Sequence, residues 1–375
     1  MKFTAARDVL TEAVSWTARS LSPRPPAPVL SGLLITAEDQ TVTISSFDHE
    51  ISAQLHIEAD VETPGTVLVS GRLLNDIVKA LPDAAVTVEL EDAKVLVTCR
   101  SSRFTLATMP VDEYPELPAM PELAGTVDGA AFARAVSQVI TAASKDDTLP
   151  ILTGVKVEFE ADTMTFLATD RYRLAMREIS WAPSRPDIST SALIKAKTLH
   201  DVARSLAGGG ELSIAMSDEA EMIGFSSGGR RTTSVLVDGE YPKIRQLFPE
   251  QTPIHAVVRT SELIEAARRV SLVAERNSHV RLQFTEENEV ILDAGADDAA
   301  AASETVSADL TGEPITVGFN PAYLNEGLNV IDSEYLRFSF VSAPKPAMIT
   351  GQDTPDGENS SDFRYLLMPV RLLNQ

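Results

Sequence analysis

The sequence predicts an α+β protein of three tandem, pseudo-equivalent domains, each with two helices on antiparallel sheets. Two observations carry this. One order of elements, an amphipathic helix, a loop and then a strand-like run, recurs along the chain, and a second helix follows later in each recurrence. Between the helices lie stretches that alternate apolar and polar residues, the mark of half-exposed antiparallel strands. The length of 375 residues agrees, because roughly 100 to 200 residues make one domain.

In chain order, the first segment opens with a helical pattern over Phe3–Val14, then a Pro-rich loop and the strand-like run Pro28–Ile35. The second repeats this with Ala131–Ile140 and Leu149–Val157, so that a Pro-x-Leu-x-Gly pattern returns about 120 residues on. The third offers Ser261–Val270 and then His279–Phe284, without the Pro and Gly. The second helices are predicted at Gly71–Leu81, Ala196–Leu206 and Asn320–Leu328, the last with Pro321 in its first turn, where proline is tolerated. Ala85–Leu90, Val95–Cys99 and Leu336–Phe340 alternate as strands. Glu113–Leu117 and Glu240–Ile244 share a Glu-Tyr-Pro closing motif, and proline clusters at Pro110, Pro115, Pro118 and Pro121 and again at Pro242, Pro249 and Pro253. These punctuation points set the expected domains at 1–121, 122–250 and 251–375. Stiffly linked, equivalent units build either a closed ring or an open solenoid. The polar stretch Gln352–Asp362 reads as a mobile loop.

Composition narrows the function classes. Hydrophobic residues at 44% and charged residues at 23% fit a globular protein, and no apolar run approaches the roughly 20 residues that span a bilayer. The start Met1–Asp8 lacks a signal-peptide pattern, so a cytoplasmic location and no membrane association are expected. A net charge of -22 argues against polyanion binding unless basic residues are segregated. Segregation is visible: Arg7, Arg19, Arg72, Lys79, Arg134, Lys195, Lys197, Arg204, Arg268, Arg269 and Arg276 lie in or beside predicted helices. Arg72 and Lys79, like Lys197 and Arg204, are seven residues apart and share a helix face. Such cations suit sequence-independent contact with a phosphate backbone, although basic solvated helix faces are also common.

Catalytic patterns are scarce. There is no GxxxxGK[ST] phosphate loop, and Gly208-Gly209-Gly210 reads as a helix C-cap. Asp48-His49-Glu50 and His200-Asp201 are His–carboxylate neighbours, but adjacent strand residues point to opposite faces and do not build a triad. Cys99 reads as a small strand residue, and one cysteine with five scattered histidines gives no metal set. No cofactor, no metal and no catalytic residue are expected.

The triple repeat, Ala168-Thr169-Asp170-Arg171-Tyr172-Arg173-Leu174-Ala175, the Tyr241-Pro242 turn and the ending Tyr365-Leu366-Leu367-Met368-Pro369-Val370-Arg371-Leu372 together resemble the bacterial DNA polymerase III beta subunits, the sliding clamps, over essentially the whole chain. The resemblance implies the DNA clamp fold and a head-to-tail homodimer whose six domains close a ring, with helices lining a hole for duplex DNA. It implies a non-catalytic processivity factor, opened by a separate ATP-driven loader. Arg24 and Arg72 match DNA-contacting positions of that family, and Lys79, Lys195, Lys197 and Arg204 would join them in the bore. A pocket for a short apolar peptide is implied at Leu152, Thr169, Arg173, Leu174, Pro242, Leu247, Pro346, Leu366, Met368, Pro369, Val370 and Arg371, the arginines orienting the peptide. The implied partners are the DNA polymerase III alpha subunit, the clamp loader delta subunit, and other polymerases and repair proteins. Arg171-Tyr172 stands where some family members carry Gly-His. The competing readings are a second-copy clamp conferring altered ligand sensitivity and, outside the family, an acidic scaffold or a hydrolase without a recognisable motif.

Overall fold

Helices form where apolar side chains recur every third or fourth residue, and strands where they alternate. The computed structural model describes residues 1–206, 210–217, 221–274, 278–296 and 300–371. Its helices are α1 (Arg7–Thr17), α2 (Gly71–Ala80), α3 (Gly129–Val139), α4 (Ala196–Leu206), α5 (Thr260–Val270) and α6 (Pro321–Leu328). Arg276, Gly208, Gly209 and Leu372, singled out above, lie outside the described residues. In α5 the buried apolar side chains are Leu263, Ala266, Ala267 and Val270, a single stripe facing inward. Helix α6 is short and starts sharply. Asn320 Oδ1 accepts hydrogen bonds from the backbone N–H groups of Ala322 (2.9 Å) and Tyr323 (3.2 Å), while Pro321 takes the first position, where an N–H would be orphaned.

The described residues form two compact units. The first comprises residues 1–130, 182–185 and 201–236 and holds a 14-stranded sheet together with α1 and α2. Strands Gly32–Glu38, Thr41–Phe47, Ile51–Glu58 and Gly65–Ser70 of the first segment continue, through pairing of Ile51–Leu55 with Arg230–Ser234, into Arg230–Val235, Met222–Ser227 and Glu211–Met216 of the second. At that junction the buried hydroxyls of Ser52 and Thr233 lie 2.6 Å apart. Helices α1 and α2 pack together over a core that includes Phe3, Leu10, Val14, Leu74 and Val78.

The second unit comprises residues 131–181, 186–200 and 237–375 and holds a 12-stranded sheet with α5 and α6. Here the junction runs through Arg173–Arg177 paired with Phe363–Leu367, with Ala175 opposite Tyr365. The middle segment therefore gives strands to both sheets. At these two junctions antiparallel strands satisfy their N–H and C=O groups by pairing across the repeats, so neither junction leaves an exposed edge.

Three expectations change in detail. The first helix begins at Arg7, because Lys2–Ala5 is a strand paired with Val86–Glu91 and Asp60–Thr63; Phe3 and Ala5 alternate inward, and the helical pattern that follows them hid this. Pro28–Ser31 and Pro150–Thr153 are 3₁₀ turns, and the strands start at Gly32 and Gly154, since proline has no N–H to give a ladder. The polar stretch after Gln352 is irregular but tethered: the Gln352 side chain donates to the carbonyls of Thr354 (2.7 Å) and Pro355 (2.6 Å), and Ser360 N–H to Gly351 (3.0 Å).

Replacing Asn320 with Ala removes both cap bonds of α6, and a loss of about 1 kcal/mol in stability is expected. Urea denaturation of the N320A protein checks this, and an unchanged midpoint would show that the cap contributes nothing.

Candidate partner-binding and nucleic-acid sites

A turn built by short side chains organises the second unit's candidate site. Strand Thr163–Thr169 reverses into Arg173–Ser180 through Asp170, Arg171 and Tyr172. Asp170 Oδ1 accepts the backbone N–H groups of Tyr172 and Arg173, both at 3.0 Å. Thr169 Oγ1 accepts from Arg171 N–H (3.1 Å) and donates to the Arg173 carbonyl (2.8 Å). Such Asx and Thr bonds replace the missing ladder partners. They hold Arg171 at φ 78°, a left-handed conformation that costs a side-chain-bearing residue about 1 kcal/mol.

Arg173 is only 2% exposed. Its Nε donates to Asp170 Oδ2 at 3.0 Å, and Nη1 donates to Glu326 Oε2 at 2.6 Å and to Tyr365 Oη at 3.5 Å. The guanidinium also lies 4.4 Å from the Tyr323 ring centroid. Lys145 Nζ holds the other Glu326 oxygen at 3.1 Å. Tyr365 is fully buried and its hydroxyl donates to the Tyr323 carbonyl at 2.9 Å. Gly327 permits this packing, since a Cβ there would sit 2.3 Å from the Tyr365 ring. Burial pushes the Tyr365 phenol up to about 12, so it acts as a neutral hydrogen-bonding group near pH 7. Burial works against the charges of Arg173 and Glu326 as well. For Arg173 the interactions with Tyr365 and then Glu326 outweigh it, and for Glu326 those with Arg173 and then Lys145; the guanidinium is raised and the carboxyl lowered.

Beside this network lies a buried apolar cluster containing Leu152, Leu174, Tyr241, Ile244, Phe248 and Leu366. Tyr241 Oη accepts the Thr169 N–H at 2.9 Å, which ties the cluster to the turn. Exposed apolar residues belong to the same segments: Leu247 is 54% exposed, Met368 39% and Val370 40%. Met368 N–H donates to the Tyr172 carbonyl (2.9 Å) and Val370 N–H to that of Gly318 (2.8 Å), fixing the chain's last described residues. Pro242 and Arg371 are exposed, while Pro346 and Pro369 are half-buried. The structure thus joins Leu152, Leu174 and Leu366 in one cluster and ties Thr169 and Met368 to the adjoining turn.

Arg173, expected to help orient a peptide, has its guanidinium enclosed by Asp170, Glu326, Tyr365 and Tyr323, and so it shapes the turn from within. The residues that enclose it were not foreseen. Asp170 carried a local sign, an acid three residues before an arginine, but nothing near Glu326 marks it as the partner of a residue 153 positions away.

The cations proposed for nucleic acid are spread over other elements. Arg24 lies in the Pro-rich loop, Arg72 and Lys79 on α2, and Lys197 and Arg204 on α4; all are exposed and have no ion-pair partner among the described residues. Lys195 instead ends the strand Ser189–Lys195 and is half-buried. Arg134 and Arg269, basic helix residues named above, are paired with Asp332 (3.4 Å) and Glu304 (2.8 Å). Asp48-His49-Glu50 is a turn in which Asp48 Oδ1 caps the N–H groups of Glu50 (3.0 Å) and Ile51 (2.8 Å). Cys99 is buried, with Sγ toward the Pro82 carbonyl.

Residues 1–118, 126–243 and 245–371 match, respectively, the N-terminal, central and C-terminal domains of the DNA polymerase III beta subunit. The chain belongs to the DNA polymerase III beta subunit family. It is 70% identical over 310 residues to the beta sliding clamp of Micrococcus luteus, covering 83% of this chain and 100% of that one. It is 51% identical to the beta sliding clamp of Streptomyces coelicolor over 99% of this chain and 100% of the relative. Among solved structures, the DNA polymerase sliding clamp of Bacillus subtilis superimposes with a TM-score of 0.92 at 29% identity, over 99% of both chains. The matched segments are three tandem clamp domains, as the repeats predict. No helix among the described residues is long and apolar enough to cross a membrane.

Replacing Arg173 with Met leaves Asp170 and Glu326 without their partner, and a loss of about 3 kcal/mol is expected. Because the Glu326 carboxyl is lowered, the pair's contribution is complete above the ordinary glutamate range and is lost as pH falls through the lowered value. Chemical denaturation of R173M between pH 7 and pH 3 should therefore show a smaller acid-induced loss than the unsubstituted protein; parallel curves would refute the assignment.

Proposed function

We infer that this protein is a DNA sliding clamp, a processivity factor that encircles duplex DNA and tethers a replicative polymerase to it. The observation that carries this reading is the match of all three clamp domains along one chain, in order. Domains at 1–121, 122–250 and 251–375 are the proposed repeats, and two chains paired head to tail would close a six-domain ring. The cations Arg24, Arg72, Lys79, Lys197 and Arg204, exposed and without ion-pair partners among the described residues, suit contact with phosphates, with Lys195 beside them. Contacts of this kind read no base edge, so displacement along the helix breaks no specific bond, and topology retains the ring where affinity alone would not. The net charge of -22 then disfavours adhesion to nucleic acid elsewhere on the surface.

The tethering site is the apolar surface of Leu152, Leu174, Pro242, Leu247, Pro346, Leu366, Met368, Pro369 and Val370, with Arg371 at its rim. Buried leucines give a firm floor, and the exposed Met368 adapts to varied ligands. Its proposed ligands are short apolar peptides of the DNA polymerase III alpha subunit, the clamp loader delta subunit, and other polymerases and repair proteins. The protein itself is read as non-catalytic, with opening driven by a separate ATP-using loader.

Solution mass should equal two chains at low micromolar concentration, and loaded protein should stay on circular DNA but run off linear DNA. Equal, salt-sensitive loss from both forms would mean ordinary surface binding. Charge reversal at Arg24 and Arg72 to Glu should shorten retention on circular DNA severalfold, whereas Met368→Asp should weaken polymerase-peptide binding at least tenfold and leave the dimer intact. Unchanged peptide affinity in the latter would refute the pocket.

A further inference from the structure

The 169–173 turn holds an unexplained feature. Arg171 occupies a left-handed conformation, φ 78°, that glycine adopts without strain, yet the chain carries a long cationic side chain there. The turn does not need that charge. Asp170 and Glu326 are already matched by Arg173 and Lys145. Asp146, whose carboxyl senses Arg171 at longer range, is engaged by Thr148, its Oδ1 accepting the Thr148 N–H at 2.9 Å and hydroxyl at 2.7 Å. Arg171 is exposed and has no ion-pair partner among the described residues, and the same holds for Lys243 and Arg371. Lys243 follows Pro242 in the loop that supplies Tyr241 and Ile244 to the apolar cluster. Arg371 follows the Met368–Val370 segment, which is hydrogen-bonded to Tyr172, the neighbour of Arg171. Three cations with no ion-pair partner among the described residues thus border one apolar surface on a protein of net charge -22.

Resting on the peptide-pocket reading above, we propose that Arg171 is a specificity-determining residue that selects partner peptides carrying carboxylates beside their apolar residues, with Lys243 and Arg371 extending the same preference. The occupant is an extended, acidic and apolar segment of another protein. Its carboxylates would complete the ion pairs that the clamp leaves open, and the net charge of -22 would disfavour such a segment over most of the remaining surface. Arg171 is exposed at the tip of the turn, where its guanidinium is accessible to such a segment.

Two synthetic peptides with one identical leucine and phenylalanine core, flanked by glutamates in the first and glutamines in the second, test this by fluorescence anisotropy on the full-length dimer. The acidic peptide should bind about fivefold more tightly at low salt, with the ratio shrinking as salt rises. In Arg171→Gly the ratio should fall toward one while the melting temperature holds or rises, because glycine relieves the left-handed strain. Arg171→Gln, which removes the charge but keeps the chain length, should lower the ratio equally. Equal binding of the two peptides to the unsubstituted protein overturns this inference and leaves the pocket standing. Binding of neither overturns the pocket and the inference together.

Discussion

The buried guanidinium of Arg173 is the interaction on which the candidate partner surface depends. It brings a strand-end turn, a helix and the last described strand to one point, because a charge removed from water must find carboxylates and hydrogen-bond acceptors from wherever the fold can supply them. Asp170 comes from the turn, Glu326 and Tyr323 from α6, and Tyr365 from the strand Phe363–Leu367. Each of these elements also carries or adjoins residues of the apolar surface. The network gives shape, and the apolar residues around it give adhesion.

Continuity of the sheets does comparable work on a larger scale. The middle segment does not close its own sheet; it lends strands to one sheet through Arg230–Ser234 and to the other through Arg173–Arg177. Backbone hydrogen bonds then run across the repeat boundaries. Side-chain complementarity can be modest at such junctions, as the Ser52–Thr233 contact illustrates, because the ladder itself supplies directional bonding. The same principle lets a repeat protein remain rigid while its linking loops vary.

Charge is distributed by role. Arg134 and Arg269 are neutralised by nearby carboxylates, whereas Arg24, Arg72, Lys79, Lys197 and Arg204 stay exposed with no ion-pair partner among the described residues. Residues alike in sequence are thus separated by what stands opposite them in space. A strongly acidic chain can bind a polyanion on these terms, provided the uncompensated cations share one surface and the acid lies elsewhere.

Local order was legible in the residues themselves. Helices α2 to α6 announce themselves by spacing, Asn320-Pro321 by cap chemistry, and the three clamp domains by recurrence and by the motifs around Asp170 and Tyr365. These are properties of neighbours, and neighbours interact whatever the fold. The strand at Lys2–Ala5 was masked because its alternation runs straight into a helical pattern and its ladder partners lie some sixty and more than eighty residues away. Only the tertiary structure decided which sheet each strand of the middle segment joins, that Arg173 faces inward, that Glu326 meets it, and that Lys145 meets Glu326. Pairing across 153 residues is set by the summed packing of many elements, and no single stretch of sequence encodes it.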